Sequence, residues 1–403
     1  MILVYYLIMI NLTAFVLYGI DKRKAINHSR RISEATLIMV AAIGGALGAF
    51  AGMLVFHHKT KKKKFRITVP ILLVFYIILN AFFLYQNYHI VITEYDYQSA
   101  KVSESMDGYV IVQISDLHNQ WFGFDGKILL SKIRKCEPDM IVVTGDVLDS
   151  GHTCYEFAED FFRGAVDIAP VYYITGNHEE WLKGKRFDKF LTDIEKMGVR
   201  LLDDKMTCID STPTGFSDEI FDESSVSGEN EQNDGASGSG ENEQNDGATG
   251  SGENEQNDGA SGSGENNQNG DVVRGFKLVG ISESSLGGNI KSKVDFIKEE
   301  GTLSGGDEDT LMILLAHEPR YLESYNSAGA DLVLVGHNHG GQFVVPGKGG
   351  FISPDMEIFP KFYGGRHSFN DTTMIISRGL GNSVIPVRIN NYPEIVKITL
   401  HAE

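Results

Sequence analysis

Gly336-His337-Asn338-His339-Gly340-Gly341-Gln342 follows directly on the apolar run Leu332-Val333-Leu334-Val335. Two imidazoles placed two residues apart and ringed by glycines are costly as core, because burial must satisfy each polar nitrogen. They are well suited to holding a metal ion. Four other stretches have the same form, a polar loop just after a short apolar run. They are Ser115-Asp116-Leu117-His118 after 109–114, Gly145-Asp146 after 141–144, Gly176-Asn177-His178-Glu179 after 171–175, and His317-Glu318-Pro319 after 311–316.

Alone, each has an ordinary explanation. Gly-Asp after a strand is commonly a turn or a helix cap. Asn-His is commonly a turn with a surface imidazole, and His317 alone reads as a satisfied core histidine. Together, five strand ends deliver Asp116, His118, Asp146, Asn177, His317, His337 and His339. Such an N/O set without thiolate suits Mn, Fe or Zn, and is less natural for Mg or Ca alone. Seven donors exceed the needs of one ion. Two ions about 3.5–4 Å apart, sharing one carboxylate, would use them all. Glycines beside several donors let backbone approach the cluster in unusual dihedrals.

Around these loops the chain reads as an α/β domain. Apolar, β-branched runs recur at 109–114, 140–144, 171–175, 276–281, 311–315, 332–335, 373–376 and 395–400. Helical-period stretches at 127–135, 155–163 and 187–197 lie between several of them. The pattern predicts one domain over 108–403, with 88–107 as a linker. Within it, 227–271 is a tandem repeat of 12-residue period, S-G-E-N-E-Q-N-D-G-A-S-G, starting at Ser227, Ser239 and Ser251. Almost free of apolar residues, it cannot bury enough surface to offset ordering entropy and is expected to be a disordered insertion. It also holds eleven acids and no Lys or Arg, so the net charge of −18 falls to −7 elsewhere and says little about partners. Nothing points to nucleic-acid binding. Cys136, Cys154 and Cys208 form no C-x-x-C pair, which argues against a thiolate zinc site.

The first 87 residues are of another kind. Residues 1–20, 35–56 and 68–86 carry no charge, and each is long enough to cross about 30 Å of hydrocarbon. They predict a transmembrane helical anchor. Gly44, Gly45, Gly48 and Gly52 would weaken a soluble helix but suit close packing in lipid. Lys22, Arg23, Lys24, Arg30 and Arg31 fill the first loop; Lys59, Lys61, Lys62, Lys63, Lys64 and Arg66 fill the second. If all three segments span, the loops lie on opposite sides and one violates the positive-inside tendency. If the Gly-rich segment is re-entrant, both loops can be inside, and the third helix exports the domain. The expectation is a multi-pass protein of the cell membrane with an extracytoplasmic domain.

In order, D-x-H, G-D, G-N-H-E, H and G-H-x-H resemble the pattern of the calcineurin-like metallophosphoesterases, over residues 105–403 apart from the repeat. The ending G-H-N-H-G-G-Q, with Arg378-Gly379-Leu380-Gly381 and Pro393-Glu394-Ile395, is similar to a bacterial, often membrane-associated branch. That branch includes enzymes acting on lipid-linked or cell-envelope phosphates. Many members have Thr where this chain has Asn338, a position that does not ligate.

The resemblance implies a four-layer α-β-β-α sandwich, here preceded by the transmembrane segment. It also implies hydrolysis of phosphate esters through a metal-bound hydroxide on two divalent ions. Asp116, His118 and His339 would hold one ion, Asn177, His317 and His337 the other, and Asp146 both. His178 would be catalytic, facing the substrate, with Glu or Asp groups orienting it. The alternatives are a cytoplasmic-side enzyme acting on nucleotides or phosphoproteins, and a non-catalytic membrane scaffold. Residues 1–87, through Tyr18-Gly19-Ile20-Asp21-Lys22, Gly44-Gly45-Ala46-Leu47-Gly48 and His58-Lys59-Thr60, resemble a small family of membrane proteins with basic loops.

Overall fold

The computed structural model describes residues 2–209, 275–286, 310–382 and 385–403; the repeat at 227–271 lies outside the described residues. Charge-free through Ile20, the first segment forms helix α1 (Ile2–Ile26). The uniform apolar run that follows does not make one helix. It forms α2 (Glu34–Val40) and α3 (Ala46–Val55), separated by a wide turn at Ala41–Gly45 where Ile43 (φ −89°, ψ 18°) and Gly44 (φ 117°) leave helical geometry. A straight helix over 34–55 would be about 33 Å long. Yet Glu34 at its start lies 3.2 Å from Lys59 just beyond its end, so the segment is folded back on itself. This helical hairpin has the backbone course that the re-entrant alternative for 35–56 requires.

Asn11, inside an apolar helix, explains how the turn is held. Its Nδ2 donates to the Gly44 carbonyl at 3.0 Å, and its Oδ1 accepts from Gly48 N–H at 2.8 Å. Gly48 has no alternative: a Cβ there would sit 1.9 Å from the Asn11 carbonyl oxygen. At the other end of the hairpin, fully buried Asp21 accepts from Ile32 N–H at 2.9 Å and from His58 Nε2 at 2.7 Å, with Arg31 at 3.3 Å and Lys59 at 3.5 Å. The two basic loops therefore meet at one end of the bundle. Helix α4 (Lys63–Tyr88) starts there and runs back along it, its Tyr76 hydroxyl donating to Ala42 O near the hairpin turn.

After α4 come β1 (Val91–Ser99), β2 (Val110–Ile114), α5 (Lys127–Arg134), β3 (Met140–Thr144), α6 (Tyr155–Val166), β4 (Val171–Ile174), α7 (Asn177–Glu180), α8 (Lys185–Lys196), β5 (Val199–Leu201) and β6 (Lys205–Ile209). Then follow β7 (Phe276–Gly280), α9 (Glu283–Leu286), β8 (Met312–Leu315), α10 (Leu322–Ser327), β9 (Leu332–Val335), the hairpin β10 (Val344–Val345) and β11 (Gly349–Gly350), β12 (Gly365–Phe369), β13 (Thr372–Ile376) and β14 (Glu394–Ala402). One six-stranded sheet has the order β1-β14-β2-β3-β4-β5, the other β12-β13-β9-β8-β7-β6.

The pleat sorts the side chains into layers. Val112, Ile114, Ile141 and Val143 face α5, α6 and α8. Ile111, Val142 and Tyr172 meet Leu278, Ile313 and Leu334 of the second sheet. Leu314, Val333 and Met374 pack under Leu322 and Tyr325 of α10. The result is helices, sheet, sheet, helices, as the α/β pattern and the resemblance imply.

The stretch 88–107, expected as a linker, is corrected by β1, which pairs in parallel with β14 over nine residues from Val91↔Glu394 to Ser99↔Ala402. As an edge strand, β1 hydrogen-bonds on one side and leaves Glu94 and Asp96 exposed. Its sequence accordingly lacks the continuous apolar run of the central strands. The end of α4 is fixed to the sandwich as well. Asn87 Oδ1 accepts from Asn382 Nδ2 at 3.0 Å and from Arg388 N–H at 3.1 Å.

Candidate active site

All five polar loops leave the carboxyl ends of parallel neighbours: β2, β3 and β4 in one sheet, β8 and β9 in the other. Sheet-on-sheet packing brings those ends together, where open α/β sheets place their ligand sites. Five of the seven candidate donors hold left-handed backbone: Asp116 (φ 51°), His118 (45°), Asp146 (54°), His337 (70°) and His339 (47°). Such conformations cost free energy in non-glycine residues and persist where the surroundings demand them. Gly336 lets the loops close, since a Cβ there would fall 2.4 Å from Asp116 Oδ2.

The seven side chains converge. His118 Nε2 lies 3.0 Å from His339 Nε2 and 3.5 Å from Asp146 Oδ2, and His339 Nε2 is 3.6 Å from Asp116 Oδ1. On the other flank, His317 Nε2 is 3.3 Å from Asp146 Oδ2 and 3.1 Å from Asn177 Oδ1, which is 3.1 Å from His337 Nδ1. Asp146 Oδ2 thus borders both groups. Donors held about 2.1 Å from a cation lie roughly 3.0–3.4 Å from one another in octahedral or tetrahedral geometry, close to the spacing found here. Asp116, His118 and His339, and likewise Asp116, Asp146 and His317, form buried groups able to hold a metal ion.

Neighbouring groups set ring orientation. His317 Nδ1 donates to Thr144 O at 2.8 Å, turning Nε2 into the cluster. His118 Nδ1 approaches Asp149 Oδ2 at 3.6 Å, just outside hydrogen-bond reach. Burial works against charge on Asp146, but His317, and after it His118 and His178, hold its carboxyl well below the usual range. Burial likewise opposes charge on His317, and Asp146 outweighs it, raising the imidazole.

His178 borders the donors: its ring centroid is 4.5 Å from that of His118, and with His118 and Asp146 it forms a further group able to hold a metal ion. Its Nδ1 accepts from Ser150 N–H at 3.1 Å, so the neutral ring carries its proton on Nε2. The expected Glu or Asp partner is corrected: the described hydrogen-bond partner of this ring is Ser150. Burial, chiefly, lowers the His178 pKa. Glu179, quoted in the sequence without a role, ties three loop amides together. Its Oε2 accepts from Asp146 N–H and Gly176 N–H, its Oε1 from Leu148 N–H, at 2.8–3.0 Å. Burial first, and Asp146 next, push Glu179 up to about 7. Ser150 and Asp149 had no periodic signal in the sequence; only the folded loop after β3 shows them.

A cleft of about 580 Å³ opens over the cluster, lined among others by His178, Trp181, Glu283, Arg320, His337 and Asp355. Trp181 is 66% exposed and lies against the His178 ring with centroids 4.9 Å apart.

Residues 109–235 match the family profile described as calcineurin-like phosphoesterase. That span takes in Asp116, His118, Asp146, Asn177 and His178. The uncharacterized metallophosphoesterase YkuE of Bacillus subtilis (strain 168) is 26% identical over 313 residues, 76% of this chain and 84% of that protein. The chain carries a calcineurin-like phosphoesterase domain. It is a metal-dependent phosphoester hydrolase. Phosphodiesterase YaeI of Escherichia coli (strain K12) is 33% identical over 88 residues, 22% of this chain and 32% of that protein. Residues 11–65 match the family described as a protein of unknown function, DUF1294. The uncharacterized protein YsdA of Bacillus subtilis (strain 168) is 51% identical over 83 residues, 21% of this chain and 93% of that protein. The phosphoesterase domain is thus joined to a DUF1294 segment.

Proposed function

We propose that the seven donors hold two divalent ions, of Mn, Fe or Zn, and that the site hydrolyses phosphate esters on the extracytoplasmic face of a membrane. Asp116, His118 and His339 would hold one ion and Asn177, His317 and His337 the other, with Asp146 between them. The observation that carries this is the facing of ring nitrogens and carboxylate oxygens across 3.0–3.6 Å. When bound, the ions neutralise phosphate charge and bring the pKa of a coordinated water down towards about 7.

The chain's own groups do the rest. The five loops fix the donors on a rigid double sheet, so orientation is set before substrate arrives. Ser150 holds His178 with Nε2–H free, and that hydrogen is placed to be donated to the departing ester oxygen. Trp181 and Arg320 line the cleft beside it, one apolar and one cationic.

Anchoring rests on the helical module. Glu34–Val55 and Lys63–Tyr88 are each long and apolar enough to cross a membrane, and α1 spans 25 residues. With 34–55 folded back, α1 and α4 are the two crossings. Both basic loops then lie on one side, inside by the charge rule, and the sandwich on the other.

The test uses the full-length protein in detergent, stripped with chelator and refilled with Mn, Zn, Fe or Mg separately. Turnover of bis-p-nitrophenyl phosphate or p-nitrophenyl phosphate should return with a transition metal, at a stoichiometry of two ions by metal analysis. A refilled, folded preparation inert with every metal, or saturating at one ion, sinks the assignment. Cysteines introduced at Lys61 and at Lys196, whose side chain is exposed at the end of α8, should react with an impermeant maleimide from opposite sides of the cell membrane; labelling from the same side sinks the topology.

A further inference from the structure

Between β11 and β12 the chain makes a tight turn whose apolar side chains, beyond the edge-on contact of Phe351 with Phe359, are left exposed. Ser353 N–H donates to Glu357 O at 3.0 Å, Met356 N–H to Ser353 O at 3.0 Å, and Phe359 N–H to Phe351 O at 2.9 Å. Ile352 and Ile358 form an antiparallel bridge across it. A turn closed this way cannot collapse to cover its own side chains. Met356 is 73% exposed, Ile358 64%, Phe359 42% and Phe351 38%. Eight large apolar residues are exposed in the described part of the sandwich, and four of them fall within these nine positions. Scattered apolar residues need no explanation, but a cluster marks an interaction surface.

Three observations point to what covers it. Pro354 and Asp355 at the tip of the turn line the catalytic cleft, so the patch is part of the cleft's rim. The turn also stands beside the root of α4. Asn87 holds Arg388 N–H, Val344 N–H donates to Ile389 O, and Phe351 N–H donates to Phe343 O. Three such steps of about 5 Å and two along the chain of about 3.8 Å put the patch within roughly 23 Å of the helix end. Tyr85 and Tyr88, at that end of α4, are exposed, as aromatic residues at a membrane boundary are. Finally, Lys348 lies over the Phe359 ring at 5.8 Å and Lys361 over the Phe362 ring at 4.8 Å. Apolar tips among exposed charges of both signs, these two lysines and Asp355 and Glu357 within the turn, suit a layer whose surface is a charged headgroup region and whose interior is hydrocarbon.

We infer that the turn 351–359 dips into the headgroup region of the bilayer that α4 crosses, laying the rim of the cleft on the lipid surface. This rests on α4 being membrane-spanning, and the experiment separates the two. The full-length protein, its three cysteines replaced by serine, is placed in nanodiscs of phosphatidylglycerol and phosphatidylethanolamine. An environment-sensitive fluorophore is attached at Met356→Cys or, separately, at Ile77→Cys in mid-α4. Lipids carrying a nitroxide near the top of the acyl chain should quench both labels, and adding Ile358→Glu should relieve quenching at 356 alone. Turnover of soluble bis-p-nitrophenyl phosphate should be unchanged by Ile358→Glu, showing an intact fold. Quenching at 77 but not at 356 overturns the docking and spares the anchor. Quenching at neither overturns the anchor and the docking with it. A label at 356 shielded from lipid and aqueous quenchers alike, with cross-linking between copies, means a second copy covers the patch and overturns the lipid assignment.

Discussion

Two clusters of buried ionisable groups sit at opposite ends of this molecule, and they are built on opposite principles. In the helical module, Asp21 is ringed by His58, Arg31, Lys59 and the Ile32 amide, so every partner it needs comes from the chain. In the sandwich, Asp116 and Asp146 face imidazole nitrogens that also face one another, His118 against His339 at 3.0 Å. Burial and residue type are nearly the same in both. What differs is the sign balance: one cluster is closed by the protein's own cations, and the other has convergent lone pairs that call for cations from outside. A buried carboxylate alone therefore says nothing about catalysis, and the identity of its partners says most of it.

The comparison breaks most sharply at Asp146. Asp146→Ala removes the carboxylate bordering both donor groups and should lower turnover by about 10⁴-fold or more, since a water at ordinary pKa is a poor nucleophile. Metal analysis should show loss of both ions, while circular dichroism of the helical module is unchanged. Normal turnover in that variant would end the shared-carboxylate role. Asp21→Ala is the counterpart. Removing one member of a buried, paired cluster costs about 3–5 kcal/mol, here confined to the helices. The melting of the helical module in detergent should fall steeply while metal content and turnover of a soluble diester stay at the wild-type level. Loss of metal in the Asp21 variant would show that the two clusters are not independent.

His178→Ala sharpens the distinction inside the sandwich itself. Its backbone N–H donates to Asp146 Oδ1 at 2.9 Å, a bond the alanine variant keeps, and its ring is held by Ser150, so metal content should be preserved. Turnover should fall about 10²-fold, the usual worth of a positioned proton donor. The deficit should be smaller for a substrate with a nitrophenolate leaving group than for one with an alkoxide, because only the alkoxide needs the proton. Equal deficits, or a loss of metal, would make His178 structural.

Legibility in the sequence divides along the same line. The site was readable because its chemistry is carried by side chains at fixed offsets from apolar runs: Asp116 and His118 after β2, Asp146 after β3, His337 and His339 after β9. The scaffold was readable where strands are buried on both faces, as in Met140–Thr144 and Leu332–Val335. β1 was missed because an edge strand with Glu94 and Asp96 exposed has no continuous apolar signature. The fold-back at Gly44 was open because hydropathy is blind to a turn whose amides are held by Asn11, a residue 33 positions away. Ser150 and Glu179 act through backbone amides and hydrogen bonds across loops, contacts with no period in the chain.

The smallest expected effect lies where the two regions meet. Asn87 stands at the end of α4, and its side-chain oxygen takes hydrogen bonds from Asn382 and from the Arg388 amide. Arg388 is fully buried; its guanidinium donates to the Arg378 and Gly381 carbonyls and comes within 3.5 Å of His339 Nδ1. A route of direct contacts thus runs from helix α4 to a candidate donor. Contact alone does not establish coupling. Asn87→Ala removes these two hydrogen bonds and a third, from Nδ2 to the Phe83 carbonyl within α4, each worth about 1 kcal/mol. It should loosen the seating of the sandwich on α4, seen as faster amide exchange at Arg388, with metal content and turnover of a soluble diester within about twofold of wild type. A larger fall in turnover, matched by Asn87→Asp failing to restore it, would mean that the helix end positions His339 through Arg388, and that the anchor is part of the catalytic apparatus rather than its tether.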